Sequence, residues 1–155
     1  MEFELGRISL IDIPALRELF VKAADESFGY FPERYRDEMV RQNSLSKLAA
    51  AWVKPERILL GCKLGDQLAG FAIGGLPETA VGYIYWLYVD SPARGSNLGL
   101  KLLARMMREL RLRGAERIEL ITHDIARYYI RQGFEPAGQL NLEGIMMQRL
   151  SFKVR

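Results

Sequence analysis

Polar and apolar positions along the chain change period in a definite order. MEFELGRISL alternates, as a half-buried strand does. Asp12 is then expected to cap a helix reaching about Ser27, with Pro14 in the first turn, where a missing N–H costs little. After the aromatic turn FGYFP, a helical period spans about Glu33 to Val53 on Tyr35, Met39, Leu45, Leu48 and Trp52, and Pro55 helps end it. RILLGCKL and QLAGFAIGGL read as two strands joined by a hairpin at Gly65-Asp66. AVGYIYWLYVD is the most strand-like run, and its continuous apolarity predicts a strand covered on both faces. The period turns helical again from about Asn97 to Arg113. Leu100, Leu103, Met107 and Leu110 form the predicted stripe there, Leu102 and Met106 flank it, and Gly114 stops it. ERIELIT is the next strand. A short helix over about Asp124–Gln132 ends at Gly133, a left-handed cap. FEPAG and GIMMQRLSF close the chain as two strands. The predicted order is β-α-α-β-β-β-α-β-α-β-β, a mixed α/β layout.

At 155 residues the chain is expected to form a single domain over 1–155. No stretch is apolar enough for a membrane span, and the opening residues lack the basic-then-apolar design of a secretory leader, so the expectation is cytoplasmic. Cys62 is the single cysteine, which leaves no intramolecular disulfide and no cysteine-based zinc site, and its apolar setting reads as core. The net charge of +3 is too small to imply nucleic-acid binding. Lys101, Arg105, Arg108, Arg111 and Arg113 are read as a solvated helix face, with one or two of them able to meet a phosphate.

The segment that carries chemistry is YWLYVDSPARGSNLGLKLL: strand, glycine-rich turn, helix. Amides that open a helix lack internal partners, and the helix dipole adds about half a positive charge there, so such a turn suits a pyrophosphate. Gly95 and Gly99 let backbone approach a ligand closely. Arg94 either adds a charged contact or braces the loop. The spacing fails both the Walker A and the dinucleotide G-x-G-x-x-G patterns.

These residues resemble the GNAT superfamily of N-acetyltransferases. Its loop reads R/Q-x-x-G-x-G/A after a strand ending in a pattern such as L-x-V-x-P, and Leu87, Val89, Pro92, Arg94 and Gly99 occupy those places. Asn97 replaces the middle glycine, and Asn tolerates left-handed backbone. The later family segment ends Y-x-x-x-G-F, matched by Tyr129, Gly133 and Phe134 in THDIARYYIRQGF. Residues 57–150 carry the resemblance, and the first 55 match in element order alone.

The resemblance implies a splayed central sheet flanked by helices, with acetyl-CoA in the wedge. Leu87, Tyr88 and Val89 would pair with the pantetheine arm, with an oxyanion donor near Tyr88. Arg94, Gly95, Ser96, Asn97, Leu98, Gly99 and Leu100 would hold the pyrophosphate. Tyr129 would give the departing thiolate its proton, while Tyr128 packs. The implied activity is acetyl transfer from acetyl-CoA to a primary amine, by direct attack in a ternary complex. No carboxylate lies in GYIYWLY to serve as base. Tyr83 and Tyr85 are expected on one face of that strand, Ile84 and Trp86 on the other. Glu78 and Glu143 read as surface residues. The single histidine, His123, is read as structural, with proton handling as the sharper alternative. Phe28 and Tyr30, with Tyr83 and Tyr85, are the candidate acceptor-binding residues; Phe28, Tyr30 and the adjacent Phe31 are equally open to plugging the core between the helices. Asp25 and Glu26 are open to attracting a cation or to being plain surface charge. The acceptor would be a small-molecule or protein amine, with no nucleic acid, membrane or metal involved, and a homodimer is compatible. The alternative is a non-catalytic acyl-CoA-binding regulatory module.

Overall fold

The computed structural model describes residues 2–78 and 80–155. Met1, which the expected first strand included, lies outside them. Seven strands form one sheet in the order β1-β2-β3-β4-β5-β7-β6. They are β1 (Glu4–Arg7), β2 (Arg57–Leu64), β3 (Gln67–Gly75), β4 (Val81–Val89), β5 (Arg117–Thr122), β6 (Glu135–Leu142) and β7 (Ile145–Lys153). The helices are α1 (Ile13–Ser27), α2 (Glu33–Gln42), α3 (Leu45–Val53), α4 (Leu98–Leu112) and α5 (Ala126–Ile130). Among the described residues only the β4–β5 pairing is parallel.

Each face of the sheet carries a core. Alternation along β2 sends Ile58, Leu60 and Cys62 to the α4 side and Leu59 to the α1–α3 side. On the first side they meet Leu102, Leu103, Met106 and Leu110, and on the second Leu16, Phe20 and Leu48. Cys62 is fully buried and free, and burial pushes its thiol pKa up.

Four local expectations are corrected. The helix expected over Glu33–Val53 breaks at Asn43-Ser44, because the Ser44 hydroxyl accepts from the Lys47 amide and starts a new helix. Asp12 does not cap α1. Its carboxylate instead accepts from Ser9 Oγ (2.8 Å) and pairs with Lys63 Nζ (2.7 Å). The buried stripe of α4 centres on Leu98, Leu102, Leu103, Met106 and Leu110, leaving Leu100 and Met107 half-buried at its margin. The strand covered on both faces is β3, buried from Leu68 to Gly75, whereas β4 leaves Tyr85 exposed.

A further correction concerns register. Ile73 pairs with Trp86 but Gly74 pairs with Ile84, so Tyr85 is the extra residue of a β-bulge. A one-residue slip exchanges faces. Ile84 therefore packs on the α4 side and Trp86 against Phe20 on the α1 side, not together.

Candidate active site

The site begins where β4 and β5 part. They pair only over Val81–Tyr83 and Arg117–Glu119. Beyond that level β4 stays bonded to β3 and β5 to β7, so each is held by its outer neighbour and a wedge opens. The Tyr85 bulge lies just past the last paired residue, and such an insertion bends its strand. The Asp90 amide donates to the Ala69 carbonyl (2.9 Å), so the two-residue alternation points Tyr88 backbone at β3 as well. The N–H and C=O groups of Leu87 and Val89 then face the wedge.

The turn after β4 holds its shape by its own contacts. Arg94 braces it: Nε donates to the Val89 carbonyl (3.0 Å) and Nη2 to the Glu26 carboxylate (3.1 Å). The same carboxylate accepts from the Tyr88 hydroxyl (2.6 Å). That hydrogen bond, with the guanidinium beside it, lowers the Glu26 pKa. Burial first, and then the same hydrogen bond, drives the Tyr88 phenol up. Ser96 Oγ donates to the Ala93 carbonyl (2.6 Å). Asn97 is left-handed at φ 59°, ψ 22°, and its side chain does not cap the helix. Among the described residues, none of the amides from Gly95 to Leu100 donates to a protein acceptor. Six consecutive donors thus open at the N-terminus of α4, where the helix dipole is positive. A Cβ at Gly99 would stand 3.2 Å from the Tyr128 hydroxyl, so a side chain there would crowd the approach.

Inside the wedge lies a cavity of about 420 Å³. Its walls include Leu87 and Trp86 from β4, Leu120 and Ile121 from β5, Phe28 and Tyr30 from the loop after α1, and Tyr129. Tyr129 sits on α5, whose end is fixed by Gly133 at φ 103°, where any Cβ would come within 2.9 Å of the Phe152 ring. Tyr129 meets Tyr128 and Phe134 edge-on and is 7 % exposed. Burial, with a smaller push from Tyr128, raises its phenol to about 12, so it stays protonated near neutral pH. A buried phenol that opens on a wedge can donate a proton to a developing anion.

The remaining candidates divide. Phe28, Tyr30 and Tyr85 line the cavity; Tyr83 does not, because it stands where the strands are still paired. Tyr83 and Tyr85 do stack (6.0 Å, 10°), with the Arg57 guanidinium 4.9 Å from the Tyr85 ring. Phe31 is buried and also lines the cavity. His123 stacks on Tyr30 at 4.1 Å, outside the lining, and its Nδ1 is buried with no protein partner. Glu78 and Glu143 are exposed. Sequence reasoning missed the tie that Glu26 makes between Tyr88 and Arg94. It also missed Leu142 and Met147, which the β6–β7 hairpin folds into the cavity. The Glu26 signal is a carboxylate ending an amphipathic helix; nothing in the residue order names its partners. A roomier open groove at Arg7, Trp52 and Arg113, about 670 Å³, lies at the far end of the strands from the glycine turn.

No curated protein matches the chain. Solved structures do. The PaiA N-acetyltransferase of Thermoplasma acidophilum, in complex with coenzyme A, superposes with a TM-score of 0.85 at 20% identity, over 99% of this chain and 100% of that one. The ribosomal-protein-S18-alanine N-acetyltransferase of Escherichia coli gives 0.74 at 17% identity, over 98% and 94%. YncA, a putative acetyltransferase of Salmonella typhimurium with its cofactor acetyl-CoA, gives 0.72 at 17% identity, over 99% and 94%. At these identities the likeness establishes the fold. Family membership rests on a separate match: the profile of the acetyltransferase (GNAT) family covers residues 16–134. That stretch holds the splayed strands, the open turn and Tyr129, and the chain belongs to the GNAT family of acetyltransferases.

Proposed function

We propose that the chain transfers an acetyl group from acetyl-CoA to a primary amine in the cytoplasm, by direct attack in a ternary complex. The observation that carries the proposal is the row of six unpaired amides, Gly95 to Leu100, at the mouth of a wedge lined by Tyr129. Acetyl-CoA, when bound, supplies an acetyl group already activated as a thioester. The amides of Gly95–Leu100 suit its pyrophosphate, since each brings a free N–H at the positive end of the α4 dipole. Leu87 and Val89 offer wedge-facing backbone to the pantetheine arm, and the N–H of either is placed to donate to an oxyanion. Tyr129 holds the proton that the departing sulfur takes. The Glu26–Arg94–Tyr88 tie keeps the loop and the strand in one register. The aromatic loop of Phe28 and Tyr30 covers the acceptor side of the cavity.

The test is a mixture of peptide, lysine-like and small aliphatic amines incubated with acetyl-CoA, with thiol release and acetylated products followed together. The reading predicts one mole of acetylated amine for each mole of thiol. Coenzyme A binding without any acetylated amine would overturn it in favour of a non-catalytic module.

A further inference from the structure

The titratable side chains that line the cavity are Glu26, Tyr30, Tyr85, Asp124 and Tyr129. Ordinary carboxylates titrate near about 4 and phenols near about 10, so neither type is matched to a proton near neutral pH. The surroundings of Glu26 and of the three phenols widen that gap. Glu26 is committed to Tyr88 and Arg94, which lower its pKa. Burial pushes Tyr30 and Tyr129 up to about 12. His123 stands behind Tyr30 rather than in the lining. The phenols of the lining therefore hold their protons near neutral pH, and Glu26, tied to Tyr88 and Arg94, is poorly furnished to take one from an ammonium. No lysine or arginine lines it either.

On the acetyl-transfer reading, we infer that the acceptor is the α-amine of a peptide or protein N-terminus. Such an amine reaches the site partly neutral. At about pH 7.5 a group with pKa about 7.8 is about one-third free base, while a lysine-like amine with pKa about 10.4 is free base in about one molecule in 800. When that proton goes to water rather than to a side chain of the site, the difference gives the α-amine an advantage of about 250-fold in reactive form. A free amino acid shares the α-amine but brings a carboxylate. That charge would enter a lining with two carboxylates and no cation, whereas a peptide presents a neutral amide there. In the reaction the amine nitrogen forms a bond to the acetyl carbon and the carbon–sulfur bond breaks, its electron pair staying on sulfur. Sulfur takes the Tyr129 proton. The nitrogen loses one proton to water, and water returns one to the phenolate. Amine and thioester become amide and thiol, with no other reactant.

The experiment offers the wild-type protein a short peptide with a free N-terminus and one internal lysine, and locates the acetyl group by mass spectrometry. The label should fall on the α-amine by about 100-fold or more. kcat/KM should rise tenfold per pH unit up to the pKa of that amine, and alaninamide should outperform alanine. Labelling of the lysine, a rate plateau already reached below about pH 7, or a preference for alanine over alaninamide would overturn the inference while leaving acetyl transfer intact. His123→Phe keeps an aromatic ring against Tyr30 and should leave the pH profile unchanged. A tenfold or greater loss confined to the low-pH limb would make His123 the base and overturn the inference. Coenzyme A binding with no thiol release for any amine would instead mean that the acetyl-transfer reading itself had failed.

Discussion

At the scale of single residues, the Tyr129 hydroxyl has the clearest assignment. Its ring is packed by Tyr128 and Phe134, so Tyr129→Phe removes one oxygen without opening a cavity. General acid catalysis contributes about 10²–10⁴-fold, so kcat should fall by about that factor while the dissociation constant for coenzyme A changes little. Parallel turnover and binding measurements check both halves. Glu26 is the second residue to test. Its pKa is lowered in the fold by the Tyr88 hydrogen bond first and by Arg94 next. A lowered carboxylate stabilises the fold above its unfolded pKa and loses that contribution as pH falls through the folded value. Glu26→Gln should therefore melt below the wild type near neutral pH, and the gap should close below about pH 4, in the ordinary carboxylate range. Melting curves across pH would show it. A gap that stays constant with pH would mean the tie contributes through packing alone.

At the scale of elements, two junctions set the site: the turn into α4 and the bulge in β4. The turn needs a left-handed residue at 97, which costs a residue such as alanine about 1–2 kcal/mol. Asn97→Ala should lower the melting temperature and weaken coenzyme A binding together, while Asn97→Gly should preserve both. At the bulge, Gly74 faces α4, and an added Cβ would meet Met106 Sδ at 2.7 Å and the Tyr83 carbonyl oxygen at 2.8 Å. The thioether can move, but the backbone oxygen is held in β4. Gly74→Ala should cost about 1–3 kcal/mol, read in denaturant unfolding. These junctions also mark what the residue order could disclose. The turn was legible because Gly95, Asn97 and Gly99 state their backbone needs locally. The bulge was not, because it arises where Ile84 and Trp86 pair with neighbouring residues of β3 and skip Tyr85, which is why Ile84 and Trp86 do not share a face. The break at Ser44 carried a local signal, a cap residue three positions before Lys47, that the continuous period of Leu45, Leu48 and Trp52 outweighed. Coverage of β3 rather than β4 depends on where helices land, which no single strand encodes.

At the scale of the whole molecule, two cores clamp β3 between α4 and the α1–α3 layer, and this half carries β4 and the open turn. The other half, β5 with β7 and β6, carries α5 and Tyr129. The wedge between the halves brings unpaired backbone and a protonated phenol into one cleft, and neither half holds both. Chemical-shift mapping of backbone amides during coenzyme A titration tests that arrangement most directly. The account predicts saturable shifts concentrated at Gly95–Leu100, Leu87 and Val89. Shifts centred instead on the groove at Arg7, Trp52 and Arg113, or none at saturating coenzyme A, would contradict it.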